Sequence, residues 1–311
     1  MSMMDQLKKR ARENKKTIIL PESMDKRIYQ AAEVILKDGL ANLIIIGTPQ
    51  EVEEYSKGCD ITGATIIDPN TYEKTKEYED LFVELRKSKG LTHEDARKQM
   101  LSDYTTYGCL MLKAGDADGL VSGACHSTAN TLRPALQIIK TKPGAKLVSG
   151  FFVMEVPNCE FGENGVFVFA DCSIEQNPDP EKLASIALSS AESFKFLVGK
   201  EPRVAMLSHS SKGSAKHDDV TKVVEATRIA KELAPDLCLD GELQLDVGQY
   251  VDVLLALPPD VEPRLVVGQY VVAPLVMPFD VVVQQELLLD VEPRLVFGQP
   301  FVDQLAPRHF V

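Results

Sequence analysis

The strongest constraint on this chain is a rhythm of short β-branched runs alternating with amphipathic stripes. Residues 17–20 read TIIL, and Ile28, Ala31, Ala32 and Ile35 then recur at i, i+3, i+4 and i+7. Gly39 closes that stripe, and LIIIG at 43–47 supplies the next apolar run. The first run is too short for a helix and suits a buried strand, while the stripe is one face of a helix. Together they make a strand–helix–strand unit of about 30 residues, which predicts a right-handed crossover and a parallel pair. The pattern continues with a strand at 64–68, helices over 73–88, 93–101 and 103–114, a strand at 118–123 and a helix over 128–140. Pro134 is assigned to the first turn of that last helix, where proline is tolerated.

From about Ala145 a second stretch begins. Residues 147–156 and 165–173 read as strands around the turn-rich PNCEFGENG, which predicts a hairpin. A helix over 181–197, a strand at 203–207 and a helix over 218–233 follow, and LCLDGELQLD at 237–246 closes the region. Alternation of this kind predicts a doubly wound α/β architecture, with antiparallel character in the second half. The predicted division is a first α/β domain over 1–146, a second over 147–246 and a separate tail over 247–311.

Charge and cysteine usage narrow the function. A formal net charge of −12 disfavours general binding to nucleic acid or to an anionic membrane. The six cysteines are scattered, with no CxxC pair and no His/Cys cluster, so neither a metal site nor a disulfide framework is expected, and reduced cytosolic thiols are the default. The basic N-terminus lacks the apolar core of a secretory leader. No apolar run reaches the ~20 residues of a membrane span.

Two loops carry anion chemistry. SGACHSTANTLRP, at 122–134, lies between a strand and a helix, at the strand end where α/β sheets bind ligands. Gly123 allows close approach of the backbone. Ser127, Thr128 and Thr131 place hydroxyls at a helix N-terminus, whose free N–H groups favour an anion. Arg133 adds a planar fork suited to a phosphate. The structural alternative is a capped helix with a surface arginine, and a lone His126 is more often structural than catalytic. SHSSKGSAKHDD, at 208–219, repeats the strand–loop–helix context with Ser210, Ser211 and Lys212 around Gly213. Its spacing is not that of a nucleotide-triphosphate loop, and a polar turn with Asp218 or Asp219 as helix cap is the alternative. Asp25 and Arg27 read as an ion pair at a helix start, and Arg86 as a solvated helix charge.

LPESMDKR, DPNTYEK, ELRKSKG, DGLVSGACHSTANTLRPALQIIKT, FADCS, AMLSHSSKGSAKHDDV and LAPDLCLDGELQLD occur in this order over residues 1–246. Together they closely resemble the phosphate acetyltransferase (phosphotransacetylase) family. Phosphate butyryltransferases and the transferase-like part of some malic enzymes share parts of the pattern. The resemblance implies two doubly wound α/β domains with an interdomain cleft, like the isocitrate and isopropylmalate dehydrogenases, usually as a homodimer. It implies reversible acetyl transfer between acetyl phosphate and coenzyme A, with coenzyme A as substrate and no metal or redox cofactor. By the same resemblance Arg86 and Arg133 help hold coenzyme A or acetyl phosphate. Ser127, Thr128 and Thr131 line the phosphate site, and Ser210, Ser211 and Lys212 border the cleft. The family's base-like aspartate, with a nearby serine and arginine, belongs to a late Asn-Asp-Leu-Ser-Arg-Gly segment.

Residues 247–311 carry no such segment. No serine follows Ser214, and the tail lacks lysine, threonine, asparagine, isoleucine and cysteine. DVEPRLVVGQY at 260–270 returns as DVEPRLVFGQP at 290–300. Two copies are too few for a stable solenoid. Valine-rich runs such as 280–290 suit strands, with the prolines confining them to edges or short pieces. Two readings stay open: a foreign continuation after Asp246, or a divergent segment that folds back on the first domain.

Overall fold

The structure is a computed structural model that describes residues 2–142, 145, 147–172, 174–248, 284–287 and 294–298. The chain divides into two compact units, residues 1–144 with 283–311, and residues 145–282. In chain order the first unit holds α1 (Met3–Glu13), β1 (Lys16–Leu20), α2 (Lys26–Lys37), β2 (Ala41–Ile46), α3 (Pro49–Tyr55), β3 (Thr65–Ile67), α4 (Thr75–Arg86), α5 (His93–Ser102), α6 (Tyr104–Ala114), β4 (Gly119–Ser122) and α7 (Thr128–Ile138). The second unit holds β5 (Phe151–Glu155), β6 (Val166–Ala170), α8 (Pro180–Val198), β7 (Arg203–Leu207), α9 (Asp218–Leu233), β8 (Cys238–Leu243) and α10 (Leu245–Gly248). Two strands from the tail, β9 (Gln284–Leu287) and β10 (Arg294–Gly298), return to the first unit.

The first unit is built on a sheet in the order β3-β2-β1-β4-β10-β9. β1 pairs in parallel with both β2 and β4, and β2 with β3, as the strand–helix–strand spacing requires. The chain therefore winds outward from β1 to β3 and then crosses back to lay β4 on the other side of β1. The point where the winding reverses lies between β1 and β4, and such points are where open α/β sheets hold ligands. Ile19, Leu43, Ile45, Ile46 and Leu120 are fully or almost fully buried. α2 packs Ile28, Tyr29 and Ala32 against Leu20, Leu43 and Ile45, and Ile28 and Ala32 belong to the stripe read from the sequence. α6 is buried along most of its length, consistent with its apolar composition.

Within the tail, β10 runs parallel to β4 and antiparallel to β9, which forms the sheet edge. Prolines 293 and 300 stand outside β10, so no ladder donor is lost within it. Beyond residues 247–248 at the end of α10, the rest of the tail, including the repeats beginning at 260 and 290 apart from β10, lies outside the described residues.

The second unit carries the expected hairpin. β5 and β6 pair antiparallel from Phe151 opposite Ala170 to Glu155 opposite Val166. The turn needs Gly165, whose φ is +89° and where a Cβ would lie 2.2 Å from the Val156 carbonyl oxygen. β7 and β8 form a parallel pair connected through α9. Met206, Val223, Ala226, Ala230 and Leu239 pack with Ala184 and Ala187 of α8 as one core.

One sequence expectation is corrected, and one element was not anticipated. Pro134 sits in the second turn of α7, not the first, and it is buried. A proline there removes one intrahelical bond without breaking the helix. The first sixteen residues contain a helix, α1, capped by Ser2 and Asp5 in a reciprocal box, and Met3 anchors it.

Close packing in the second unit yields a prediction. At Gly241 a Cβ would lie 2.5 Å from Met206 Cβ and 2.6 Å from Thr227 Oγ1. Gly241→Ala is expected to lower the free energy of unfolding by about 1–3 kcal/mol through overpacking. Urea denaturation would show a lower midpoint at an unchanged m value.

Candidate functional site

The reversal point of the first sheet is closed by a carboxylate. β1 ends at Leu20, and Glu22 follows two residues later. The register pairs Ile18 with Gly119 and Ile19 with Leu120, so its continuation sets Glu22 opposite Gly123, the first residue after β4. Glu22 is 0 % exposed. Its Oε2 accepts the backbone N–H groups of Gly123 and Ala124, both at 2.8 Å. Its Oε1 accepts those of Cys125 at 2.9 Å and His126 at 3.1 Å, and lies 2.7 Å from His126 Nδ1. Since the partner is a carboxylate, Nδ1 carries the proton. Burial by itself would push the Glu22 carboxyl up. The N–H groups of Cys125, Ala124 and Gly123 and the His126 ring outweigh it and hold Glu22 below the ordinary glutamate value.

This changes the role read for the loop. Gly123 was read as letting the backbone approach a ligand closely, but its N–H and those of Ala124, Cys125 and His126 face Glu22 instead. What remains directed outward is a set of side chains. Ser127 caps α7, its Oγ accepting the Asn130 N–H at 3.3 Å, and is exposed. Thr128 is exposed as well. Thr131 is buried and donates its hydroxyl to the Ser127 carbonyl at 3.2 Å, so it braces the turn. Arg133 is exposed on α7 and has no ion-pair partner among the described residues. Arg86 ends α4, half-buried, also without a described ion-pair partner, and no described hydrogen bond joins it to this loop.

Arg27 belongs to the same cluster, although its sequence reading stopped at an ion pair. That pair exists, with Nη2 2.6 Å from Asp25 Oδ2, while Asp25 also caps α2. The same Nη2 donates to the Ala124 carbonyl oxygen. Arg27 thus ties the loop after β1 to the loop after β4 and remains about half exposed.

Cys125 lies 3.4 Å from Glu22 Oε1 through its sulfur. Burial of the sulfur, followed by the Glu22 charge, pushes the thiol up to about 12. Glu22, Cys125 and His126 offer metal-ligand atoms within 4.8 Å of one another. The Glu22 oxygens are already engaged by N–H donors and the sulfur is held as a thiol, so the cluster reads as a hydrogen-bonded brace. Glu79, Asp80 and His93 form a second such group, but Lys76 and Arg97 already serve Glu79.

The second loop, after β7, is folded around a carboxylate in the same way. Pairing passes from Met206–Gly241 to Leu207–Leu243, which leaves Glu242 as the extra residue of an irregularity in β8. Glu242 is buried, and its Oε1 accepts the Ser210 hydroxyl at 3.0 Å and the Gly213 N–H at 2.6 Å. Ser210 is itself buried and accepts the Ala215 N–H at 3.1 Å. Ser211 Oγ accepts the Gln244 N–H at 2.8 Å. Lys212, at φ 48°, places its Nζ 2.7 Å from Asp240 Oδ1, which also receives Lys231 at 2.9 Å. Burial would raise Asp240, but Lys212 and Lys231 outweigh it and hold the carboxyl below its ordinary value.

With this geometry in view, the comparisons with known proteins decide the family. The sequence profile described as "Phosphate acetyl/butaryl transferase" matches residues 2–254. The chain belongs to this family. Phosphate acetyltransferase from Thermoanaerobacterium thermosaccharolyticum is 54 % identical over 253 residues, which cover 81 % of this chain and 77 % of that protein. The enzyme of the same name from Acetivibrio thermocellus is 53 % identical over 253 residues, covering 81 % and 76 %. Among solved structures, a phosphotransacetylase from Streptococcus pyogenes superposes with a TM-score of 0.74 at 43 % identity, covering 84 % of this chain and 78 % of that one. Membership in the phosphate acetyl/butaryl transferase family makes this an α/β acyltransferase by family. The profile match runs eight residues past Asp246, where the sequence reading ended the resemblance. No helix among the described residues is long and apolar enough to cross a membrane.

Glu22 and Glu242 went unread in the sequence because a single glutamate beyond a strand, or within one, has no periodic signature.

Two outcomes follow. Glu22 and Asp240 ionise at lower pH in the folded chain than in the unfolded one, where about 4.5 and 3.8 apply. Their contribution is complete above those values and is lost as pH falls through the folded values. Urea stability is therefore expected to decline from pH 5 toward 3, and Asp240→Asn, costing roughly 1–3 kcal/mol at pH 7, is expected to decline less steeply. Cys125, although exposed, is expected to react with iodoacetamide at pH 8 at least roughly tenfold more slowly than a free cysteine, as peptide mass spectrometry would show.

Proposed function

We propose that this chain binds acetyl phosphate and coenzyme A at the β1/β4 end of its first unit and transfers the acetyl group reversibly between phosphate and the coenzyme A thiol. The observation that carries this reading is the coincidence of a 54 % identical phosphate acetyltransferase with a braced loop that turns Ser127, Thr128, Arg27 and Arg133 outward at the reversal point of the sheet. Both substrates carry phosphate, and guanidinium forks and hydroxyls are the groups that hold it. Arg133, with Ser127 and Thr128, holds the phosphoryl group of acetyl phosphate or a phosphate of coenzyme A, and Arg86 supplies a further cation. Thr131 acts from behind by fixing the turn. In the second unit Ser210 and Lys212 shape the loop through Glu242 and Asp240, and Ser211 and the exposed part of Lys212 are its substrate-facing groups. The protein works in the cytoplasm as a homodimer.

The chemistry needs a base for the thiol, donors for the attacked carbonyl and cations for the leaving phosphate. The outward cluster supplies the cations and hydroxyl donors. Glu22 is not the base, because both of its oxygens are buried and engaged. A second reading, binding of phosphate and coenzyme A without turnover, is favoured by one specific observation: residues 247–311 hold no serine and no Asn-Asp-Leu-Ser-Arg-Gly segment. The family profile spans acetyl and butyryl transfer, so longer acyl phosphates belong in the same assay.

Thioester formation from acetyl phosphate and coenzyme A, followed by absorbance, separates the readings. The transferase shows turnover, and Arg133→Ala lowers kcat/KM by roughly tenfold or more. The binding reading shows no turnover but saturable coenzyme A binding that weakens by the same factor in Arg133→Ala. Absence of both overturns the assignment of this loop.

A further inference from the structure

We infer that Glu22 is a positioning residue for substrate: its buried carboxylate stands in for an anion inside the loop after β4 and thereby fixes the outward display of Ser127, Thr128 and Arg133. The inference rests on the reading that this loop holds a phosphorylated substrate. Four consecutive N–H groups and one imidazole converge on a side chain that is 0 % exposed. A loop with that many inward amides has no stable folded alternative unless an acceptor fills it, because unpaired buried N–H groups are costly. Glu22 comes from the adjacent strand end, so it fixes the loop relative to the sheet as well as internally. The very next residue, Ser127, is the α7 cap, and its carbonyl takes the Thr131 hydroxyl. The conformation set at Glu22 thus passes directly into the first turn of the helix that bears Arg133.

The second unit repeats the device independently. There Glu242 comes from the strand adjacent to β7 and gathers Ser210 and Gly213. In the first unit the carboxylate fills the amides of 123–126, so a phosphate bound at this loop is held by side chains rather than by those amides. A phosphate lodged among the amides of 123–126 would have to displace the carboxylate from four of its five N–H donors.

Glu22→Gln and Glu22→Asp test this in the full-length chain. Amide hydrogen exchange of residues 123–126 and titration with coenzyme A and with inorganic phosphate are read together. In Glu22→Gln one amide group opposes the N–H donors, so exchange at 123–126 is expected to rise roughly tenfold or more, while buried α6 stays protected. Affinity for both ligands is expected to fall roughly tenfold, and Cys125 alkylation to quicken as the neighbouring charge is lost. Glu22→Asp keeps the charge and restores part of the affinity, and it carries the test if Glu22→Gln does not fold. Exchange and affinity within about twofold of wild type in a folded Glu22→Gln chain overturn the inference. If wild type binds neither ligand, the functional reading fails by itself, and unchanged exchange in Glu22→Gln would still overturn the clamp.

Discussion

The first unit depends on one buried negative charge. Glu22 brings no apolar surface to the core, and its burial carries a desolvation penalty of several kcal/mol. It is retained because hydrogen bonds to a charged group contribute roughly 1.5–3 kcal/mol each, and this carboxylate accepts five N–H groups, four from backbone and one from the His126 ring. The resulting brace joins two strand ends that the winding of the sheet leaves side by side. Arg27 adds a second tie across the same gap. The exposed hydroxyls and cations are then displayed by a rigid frame rather than by a free loop.

Most of the architecture was legible because it is periodic. The stripe at Ile28, Ala32 and Ile35 and the runs at 17–20 and 43–47 have spacings that admit few structures, and β1, α2 and β2 follow them closely. The hairpin of β5 and β6 was legible from its turn residues, and Gly165 shows why a glycine had to stand there. α1 and α3 were not read. Each is signalled by reciprocal capping, Ser2 with Asp5 and Thr48 with Glu51, behind segments too polar or too short for a strong stripe. Pro134 was misplaced by a turn because a buried proline inside a helix is held by tertiary packing, which local rules do not see.

The candidate site was legible by residue type and obscure by direction. Ser127, Thr128 and Arg133 were visible as phosphate chemistry on a strand–loop–helix. Their neighbours in the loop were visible too, but which way their amides point depends on a partner 101 to 104 residues earlier in the chain. No local pattern encodes that pairing. The same holds for Ser210, whose partner Glu242 lies 32 residues later on the adjacent strand. The tail was legible as a change of composition at Asp246, yet two of its short segments join the first sheet, with β10 beside β4.

The state of Cys125 bears on where chemistry can occur. The thiol is raised first by burial and then by the Glu22 charge, while the Arg27 guanidinium acts in the opposite direction. The loop after β4 thus meets opposite charges on two contacts: the internal carboxylate disfavours a sulfur anion beside it, and the guanidinium favours one.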